Sequence, residues 1–107
     1  MGYDFKSLVD GQLPDAKGTL YTVPADTSTV IKLITLVNTA DVVQIVNLYV
    51  KPSGSASRRI IPKDCNLAAG YSLIFDDGIF LEVGDIIEGD TTTAAKVDYI
   101  ISGVEKS

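Results

Sequence analysis

A chain of 107 residues suits one domain with a single core, and its 46% hydrophobic and 21% charged residues are typical of a globular protein. Its net charge of −5 gives no electrostatic reason to bind nucleic acid, so we expect no nucleic-acid partner. The single cysteine, Cys65, excludes an intrachain disulfide and a cysteine-rich zinc site.

The sequence shows neither a secretion signal nor a membrane-spanning segment. Its first residues, Met-Gly-Tyr-Asp, lack a basic start, and no apolar run follows them. A spanning helix needs ~18 or more uninterrupted apolar residues. The longest candidate, residues 30–50, is interrupted by charged and amide side chains: Lys32, Asn38, Asp41, Gln44 and Asn47. We therefore expect no membrane partner.

Residues 1–17 predict an extended N-terminal arm, because they show neither strand alternation nor a sustained helical period. Gly11 and Pro14 interrupt regular structure in the second half of this segment. An arm buries its own apolar side chains poorly, so we expect these to contact a partner or the domain surface: Tyr3, Phe5, Leu8, Val9 and Leu13. A chain without residues 2–16 should then stay folded and fail to bind its partner.

From residue 18 onward, short runs rich in β-branched residues alternate with Gly, Pro, Asn and Asp, which indicates strands joined by turns. The predicted strands are 18–23, 29–37, 42–50, 58–61, 71–75, 79–83, 85–89 and 95–103, with turns at 38–41 and 76–78. Seven or eight short strands without a convincing helix predict an all-β fold, an antiparallel β-sandwich or jelly roll over residues 18–107.

The run 29–37 is apolar on both faces, whereas a strand with one wet face has a polar residue at every second position. Its odd positions include Ile31 and Leu33, and its even positions include Ile34 and Leu36. A sandwich core accounts for one face only. The other face either lies under a loop or the arm, or packs on another protein chain. The second interpretation predicts a homo-oligomer or tight docking, with Ile31 and Leu33 at the interface.

The charges are unevenly distributed along the chain. Residues 51–63 carry Arg58, Arg59 and two lysines without an acid, whereas residues 64–95 carry seven acids without a base. These segments are either solvated turns, or a basic and an acidic flank that orient the molecule on copies of itself or on a charged lattice. The second interpretation adds Arg58 and Arg59 to the predicted partner interface.

The residue types that carry most enzyme chemistry are missing or isolated. The chain has no histidine, which removes the commonest general base and the commonest transition-metal ligand. Cys65 then has no histidine to activate it, and we expect a small structural hydrophobe. Asp76 and Asp77 are adjacent, so we interpret them as turn residues rather than a catalytic pair or Ca²⁺ ligands. We therefore predict no catalytic, metal or cofactor site and no enzymatic activity.

Several strand-and-turn phrases resemble those of a known class of proteins. The runs LYTVPADTSTVIKLITLVNTADVVQIVNLYVKPSGSA (20–56), GIFLEVGDIIEG (78–89) and YIISGVE (99–105) are similar to small virion proteins of tailed bacteriophages. The resemblance covers residues 18–105 and brings no catalytic residues with it. It implies a non-enzymatic structural protein that is located in the virion and made in the cytoplasm of the host bacterium.

Within this class, the first function that the resemblance implies is a capsid decoration (cement) protein, which docks on the assembled shell and stabilises it. The second is a tail, baseplate or fibre component with the same fold. The partners would be the major capsid protein or the tail proteins of the same virion, and further copies of this chain. A hypothesis from another class is a glycan-binding module that uses exposed tyrosines such as Tyr21 or Tyr49.

Overall fold

The computed structural model describes residues 3–106, and the side chains of residues 6–106. The regular secondary structure in this range consists of β-strands. The described residues therefore contain no helix that is long and apolar enough to span a membrane. The ten strands of the described range are β1 (Tyr3–Gln12), β2 (Gly18–Thr22), β3 (Ser28–Asn38), β4 (Gln44–Lys51), β5 (Arg58–Arg59), β6 (Cys65–Leu67), β7 (Ser72–Phe75), β8 (Ile79–Leu81), β9 (Ile86–Thr91) and β10 (Val97–Lys106).

The strands form two antiparallel sheets that pack face to face. The β1 sheet has the order β1-β10-β3-β7, and β8 also pairs with β3. The β2 sheet has the order β2-β9-β4-β5, and β6 also pairs with β4. The chain crosses between sheets at each step except within the group β4 to β6 and from β7 to β8. Two four-position sheets connected in this way form a jelly roll, which confirms the fold class predicted from the sequence.

The ten strands of the described range fill only eight positions, four in each sheet, because two of these positions are interrupted. β5 and β6 share one position beside β4, and β7 and β8 share another beside β3. Pro62 lies between β5 and β6, and it has no backbone N–H to donate to a ladder. Asp76, Asp77 and Gly78 separate β7 from β8, as the sequence predicted, and Gly78 has a φ of +81°, which favours glycine. β6 is only three residues long, and no strand was predicted there.

A bulge in β3 shifts its alternation in the middle of the strand. In the pairing with β10, Gly103 is opposite Ile31 and Ser102 is opposite Leu33, so Lys32 has no partner. An extra residue of this kind moves every later side chain to the other face of the sheet. The core-facing positions of β3 are therefore odd before the bulge and even after it.

This shift explains most of the apolar character on both faces of residues 29–37. Ile31 before the bulge and Ile34 and Leu36 after it are all fully buried in the core. The sequence placed Ile31 on the outer face together with Leu33, and for Ile31 that prediction is wrong. Leu33 is half-buried and points outward, because its neighbour Ile34 belongs to the core.

Residues 3–12 differ most from the sequence prediction, because they form an edge strand that pairs with β10 along its whole length. Their alternation is hidden in the sequence by a second bulge, since the register shifts between Ser7 and Val9 and leaves Leu8 unpaired. Leu13, which directly follows β1, is fully buried in the core. The segment is thus a strand of the sandwich, and the expectation that it has no strand structure is wrong.

The turn between β3 and β4 is fixed by Asn38, which is fully buried. Its Nδ2 donates hydrogen bonds of 2.9 Å to the carbonyl oxygens of Val42 and Leu67, and its Oδ1 accepts one of 2.8 Å from the N–H of Ala40. A buried amide with all these partners costs little to desolvate and holds the chain in one path. The sequence predicted a turn here because asparagine can bond to its own backbone in this way.

Four connections between strands meet at one end of the sandwich, which we call the loop end: residues 13–17, 39–43, 68–71 and 92–96. Backbone hydrogen bonds tie these connections together, from Thr39 N to Lys96 O (2.9 Å), from Gly70 N to Asn38 O (3.1 Å) and from Ala95 N to Leu13 O (3.2 Å). The loop end is therefore a defined surface and not a set of independent loops.

Candidate docking surface and loop-end pocket

The outer face of the β1 sheet carries exposed apolar side chains. Residues directly opposite one another on neighbouring strands point to the same face of a sheet. Two such rows cross the β1 sheet, Phe80–Val30–Val104 and Ile74–Thr35–Ile100. Phe80 is 84% exposed, Ile74 61% and Ile100 47%, so both rows lie on the outer side of the sheet. Val104 in the first row is buried, although it does not belong to the core cluster.

Leu33 lies between the two rows and joins them into one surface, which we call the apolar outer face: Val30, Leu33, Ile74, Phe80, Ile100 and Val104. Polar side chains border this surface. Asp10 on β1 is opposite Ile100, and Asp98 lies one row further on. The backbone of β1 lies beside β10 in the same sheet, so it forms the edge of this face rather than a layer over it. The side chains of Tyr3 and Phe5 lie outside the described residues, so coverage of the face by the N-terminal segment stays one of the two interpretations.

The N-terminal residues that the sequence assigned to a partner interface are divided between the core and the sheet edge. Leu13 is fully buried, so it cannot contact a partner. Leu8 and Val9 are half-buried and pack against the core. Tyr3 and Phe5 belong to β1, but their side chains lie outside the described residues. Leu8, Val9 and Leu13 thus pack within the sandwich itself, and of the predicted residues with described side chains Leu33 lies on the apolar outer face.

Arg58 and Arg59 form β5 at one edge of the β2 sheet, away from the apolar outer face. Both side chains are exposed, but Arg59 is engaged within its own sheet. Its Nη1 donates a hydrogen bond of 2.7 Å to Asn47 Oδ1, and its guanidinium carbon lies 5.0 Å from the ring centroid of Tyr49. The structure therefore does not bring the two arginines together with Leu33 on one surface.

A hydrogen-bonded cluster covers the outer face of the β2 sheet around Asn47, which is buried. Asn47 Nδ2 donates to Asp90 Oδ1 at 2.9 Å and to Asp64 Oδ1 at 3.2 Å. The Tyr49 hydroxyl donates to Asp90 Oδ2 at 3.0 Å, and Lys17 Nζ lies 4.4 Å from the Tyr49 ring centroid. Burial, helped by the bond to Asp90, raises the pKa of Tyr49. The polar groups of Asn47 and Tyr49 on this face thus have their hydrogen-bond partners within the same chain.

The basic segment 51–63 and the acidic segment 64–95 contact each other in the fold. Asp85 Oδ1 accepts a hydrogen bond of 2.8 Å from the N–H of Ser53, and Glu88 accepts one from the hydroxyl of Ser57. The acids of one segment therefore bind the loop of the other. These contacts involve serines rather than the basic side chains, so the interpretation as a basic and an acidic flank stays a prediction.

At the end of the sandwich opposite the loop end, Glu105 is the centre of a small polar cluster. Its carboxylate lies 2.8 Å from Lys6 Nζ and accepts a hydrogen bond of 2.6 Å from the Tyr21 hydroxyl, which also lies 2.9 Å from Thr29 Oγ1. The hydrogen bonds from Lys6 and Tyr21 lower the pKa of Glu105 below its ordinary 4.5. Burial and the bond to Glu105 raise the pKa of Tyr21 to about 12. The cluster joins β2 of one sheet to β3 and β10 of the other.

The two tyrosines proposed for glycan stacking are not available for it. Tyr21 and Tyr49 are each 7% exposed, and both hydroxyls bind carboxylates of the same chain. Alternation along the predicted strand 71–75 would place Tyr71, Leu73 and Phe75 on one face, but Tyr71 is 68% exposed at the loop end. Its neighbours Leu73 and Phe75 do pack against the core, so the alternation fails at the first residue, which lies before β7.

A pocket of about 510 Å³ opens at the loop end, between the β3–β4 and β9–β10 connections. It is lined by Thr39, Ala40, Asp41, Val42, Gln44, Thr93 and Lys96. Gln44, the first residue of β4, is only 2% exposed, and its Oε1 accepts a hydrogen bond of 3.0 Å from the N–H of Thr93. The bond holds the two connections at a fixed distance and so keeps the pocket open.

The acids and the cysteine of the described chain do not assemble into a recognisable reactive centre. Within residues 3–106, no group of three or more His, Cys, Asp or Glu side chains could hold a metal ion. Cys65 is half-buried and packs against the core, as expected for a small hydrophobe. Asp76 and Asp77 are exposed in the connection between β7 and β8.

The sequence missed the three most exposed members of the apolar outer face. Phe80 follows Ile79 and precedes Leu81, and Ile100 precedes Ile101, so each stands beside a core residue in an uninterrupted apolar run. Ile74 lies in the same way between Leu73 and Phe75. The signal that could have found them is an apolar run on both faces in residues 73–75, 79–81 and 100–101, as in residues 29–37.

No protein-family model matches the sequence, and no curated protein matches it. Among solved structures, a chain in the structure of infectious bursal disease virus, Gx strain, aligns with a TM-score of 0.52 and 12% identity, over 97% of this chain and 32% of that chain. A chain of the Gt strain aligns with a TM-score of 0.45 and 10% identity, over 96% and 31%. The present chain thus spans about a third of the length of the chains that it matches.

The Gx-strain match concerns the fold, because the identity of 12% is too low to carry function. It covers nearly the whole sandwich, including the edge strand β1. The chain therefore shares its fold with about a third of a chain in this virus structure. The resemblance to phage proteins in particular rests on the sequence phrases alone.

Proposed function

We propose that this chain is a non-enzymatic structural protein of a virion, and specifically a capsid decoration protein of a tailed bacteriophage that docks on the assembled shell and stabilises it. The observation that carries the proposal is the apolar outer face, which spans β3, β7, β8 and β10 and exposes Phe80, Ile74 and Ile100 to solvent. Contiguous exposed apolar patches on small soluble proteins mark sites of interaction.

Two further observations support a virion as the place where this face is buried. The fold is shared with a domain-sized part of a chain from a viral particle. The phrases in residues 20–56, 78–89 and 99–105 resemble small virion proteins of tailed phages. A rigid sandwich with one apolar face satisfies what a shell-binding protein requires, since it needs complementary surface and no chemistry.

Burial of the exposed apolar side chains of this face would contribute to docking. Burying a large apolar side chain contributes roughly 1.5–3 kcal/mol, and three such side chains, Phe80, Ile74 and Ile100, are about half exposed or more. Part of this gain is offset by the loss of translational and rotational freedom on binding. Asp10 and Asp98 at the border of the face would provide a polar rim that sets the orientation of the docked molecule.

The partners in this proposal are the major capsid protein and neighbouring copies of the same chain on the shell. The virion is then the location of the protein. A tail, baseplate or fibre component would use the same face against tail proteins, and the location within the particle separates the two functions.

The test is co-sedimentation of the purified protein with separated heads and tails of the phage that encodes it. Decoration predicts binding to heads that saturates at a fixed number of copies per capsomer, and no binding to tails. Binding to tails alone would contradict decoration and support a tail component. Binding to neither would contradict the virion proposal as a whole.

A further inference from the structure

We propose that the loop-end pocket binds a neutral, hydroxyl-rich ligand of the saccharide class. The pocket has a volume of about 510 Å³, within the range of roughly 300–1,000 Å³ that is usual for small-molecule sites. It is formed by the connections β3–β4 and β9–β10, which are tied together by the hydrogen bond from Thr39 N to Lys96 O. Its shape is thus largely set before a ligand arrives.

The first observation concerns the amide nitrogen of Gln44, which lines the pocket. Gln44 Oε1 accepts hydrogen bonds from the N–H of Thr93 (3.0 Å) and, more weakly, from the hydroxyl of Thr91 (3.4 Å), which fixes the orientation of the amide. Nε2 has no hydrogen-bond acceptor within residues 3–106. Since no fully buried side-chain nitrogen in this range lacks a partner, Nε2 must be reachable from solvent.

The Gln44 side chain is 98% buried and lines this pocket, so the pocket offers its amide nitrogen a route to solvent or to a ligand. Leaving an amide donor in this position is costly unless water or a ligand atom accepts its hydrogen bond. The acceptor that fits is a hydroxyl, ether or carbonyl oxygen of a ligand. Gln44 thus forms a polar floor of the pocket.

The rim of the pocket adds groups that complement hydroxyls. Asp41 offers a carboxylate acceptor, and the hydroxyl of Thr39 donates to Lys96 O at 2.8 Å, which leaves its lone pairs free to accept. Thr93 contributes a second hydroxyl, and Lys96 an ammonium donor. Asp41 and Lys96 form no ion pair within residues 3–106, so both remain available to a ligand.

This set of groups favours a neutral polyol over an anion. A free carboxylate or phosphate would gain from Lys96 but would be repelled by Asp41 on the same rim. Amide, carboxylate and hydroxyl side chains together can satisfy the alternating donors and acceptors of a sugar ring. Val42, which is 58% exposed, and Ala40 give the apolar contact that the C–H face of a sugar requires.

The pocket is separate from the apolar outer face, so the two proposals can fail independently. The pocket lies at the loop end, whereas Phe80 and Ile74 lie on the flat side of the β1 sheet. A protein that docks on a particle through its side could still present the loop end outward. Its ligand would then be a free sugar or the same sugar within a surface polysaccharide.

The test is a titration of the full-length, ¹⁵N-labelled protein followed by NMR. The ligands are glucose, galactose, mannose and N-acetylglucosamine, with glucuronate as the acidic sugar. We expect at least one neutral sugar to give saturable shifts of the Gln44 side-chain NH₂ and the Ala40 and Thr93 amides. Shifts that are absent for all neutral sugars, or that occur only outside the pocket, would overturn the proposal. A parallel titration with dextran or mannan then distinguishes a polysaccharide ligand from a free sugar.

Two variants test the assigned groups. Asp41→Ala removes the carboxylate acceptor and should weaken binding about tenfold, which corresponds to about 1.4 kcal/mol. Asp77→Ala removes the same charge at an exposed position of the β7–β8 connection and should bind like the original protein. Equal affinity of all three proteins would overturn the assignment.

The third variant, Gln44→Glu, keeps an oxygen for the N–H of Thr93 and replaces the Nε2 donor by an acceptor. We expect it to fold, as judged by dispersed amide signals, and to lose sugar binding. If it does not fold, the Asp41→Ala comparison decides alone. Binding of glucuronate only, abolished by Lys96→Ala, would overturn the neutral-sugar class.

Discussion

At the residue scale, Gly103 permits the close approach of β10 to the bulge in β3. A Cβ atom at this position would lie 2.1 Å from the carbonyl oxygen of Val30 and 3.2 Å from Cα of Ile31. Both obstacles are backbone atoms, which a rotamer change cannot move. The bulge that turns Ile31 and Ile34 toward the same core therefore requires glycine opposite it.

Gly103→Ala should lower the free energy of unfolding by about 3 kcal/mol or more, because the backbone must shift to relieve this contact. Urea unfolding followed by circular dichroism measures the change. The neighbouring Ser102→Ala is the control, and its effect should stay within about 0.5 kcal/mol, since Ser102 is partly exposed on the outer side. Equal stability of the two variants would contradict the role given to Gly103.

Glu105 makes stability depend on pH in the acidic range. Its pKa is lower in the folded protein than the ordinary 4.5, through the hydrogen bonds from Lys6 and Tyr21. Folding therefore favours the charged form of Glu105 and so stabilises the folded protein. This stabilisation is fully present above pH 4.5 and is lost as the pH falls through the lower pKa of the folded state.

Glu105→Gln should consequently be less stable than the original protein at neutral pH, and the difference should narrow as the pH falls below 4.5. Urea unfolding at a series of pH values measures this difference in the free energy of unfolding. Glu82→Gln, at an exposed position, is the matched control and should change stability little. A difference between Glu105→Gln and the original protein that stays constant with pH would rule out this linkage.

At the element scale, β1 is needed to complete the sandwich. It pairs with β10 along its length and leads directly into Leu13, which is fully buried. Removing residues 2–16 would leave β10 as an exposed edge and open the core at Leu13. We therefore expect the chain without residues 2–16 to unfold, whereas the sequence alone had predicted that it stays folded.

We expect the chain without residues 2–16 to lose cooperative thermal unfolding and amide signal dispersion. Leu13→Ala, a milder change, should cost about 2–5 kcal/mol because it leaves a cavity in the core. Val83→Ala, at a position that is 54% exposed, is the control and should have little effect. A truncated chain that melts at the original temperature would contradict the structural role of β1.

The same elements show what can and cannot be derived from the sequence. Strands with unbroken alternation were predicted correctly, as in β10, where Val97, Tyr99 and Ile101 face the core. The strand β1 and the faces of β3 were not predicted, because one extra residue at Leu8 hides the alternation of β1 and one at Lys32 reverses it in β3. Bulges are set by the pairing strand, which a local pattern does not contain.

At the scale of the whole molecule, the two sheets present different outer surfaces. The β2 sheet is covered by the cluster around Asn47, Tyr49 and Asp90, whereas the β1 sheet leaves Phe80 and Ile74 exposed. One of the two interpretations of residues 29–37 left an apolar face for a partner and named Ile31 and Leu33, of which Leu33 lies on the apolar outer face. It could not name Phe80 or Ile74, because these come from strands that meet β3 only in the folded sheet.

Phe80→Asp tests the central claim most directly. Phe80 is 84% exposed, so the variant should fold, and a charge on the apolar outer face should weaken binding to phage heads at least about tenfold. Val83→Asp introduces the same charge in the β8–β9 connection and should bind normally. Both are compared with the original protein by co-sedimentation across a range of concentrations. The account predicts loss of head binding for Phe80→Asp alone, and undiminished binding of this variant would contradict it.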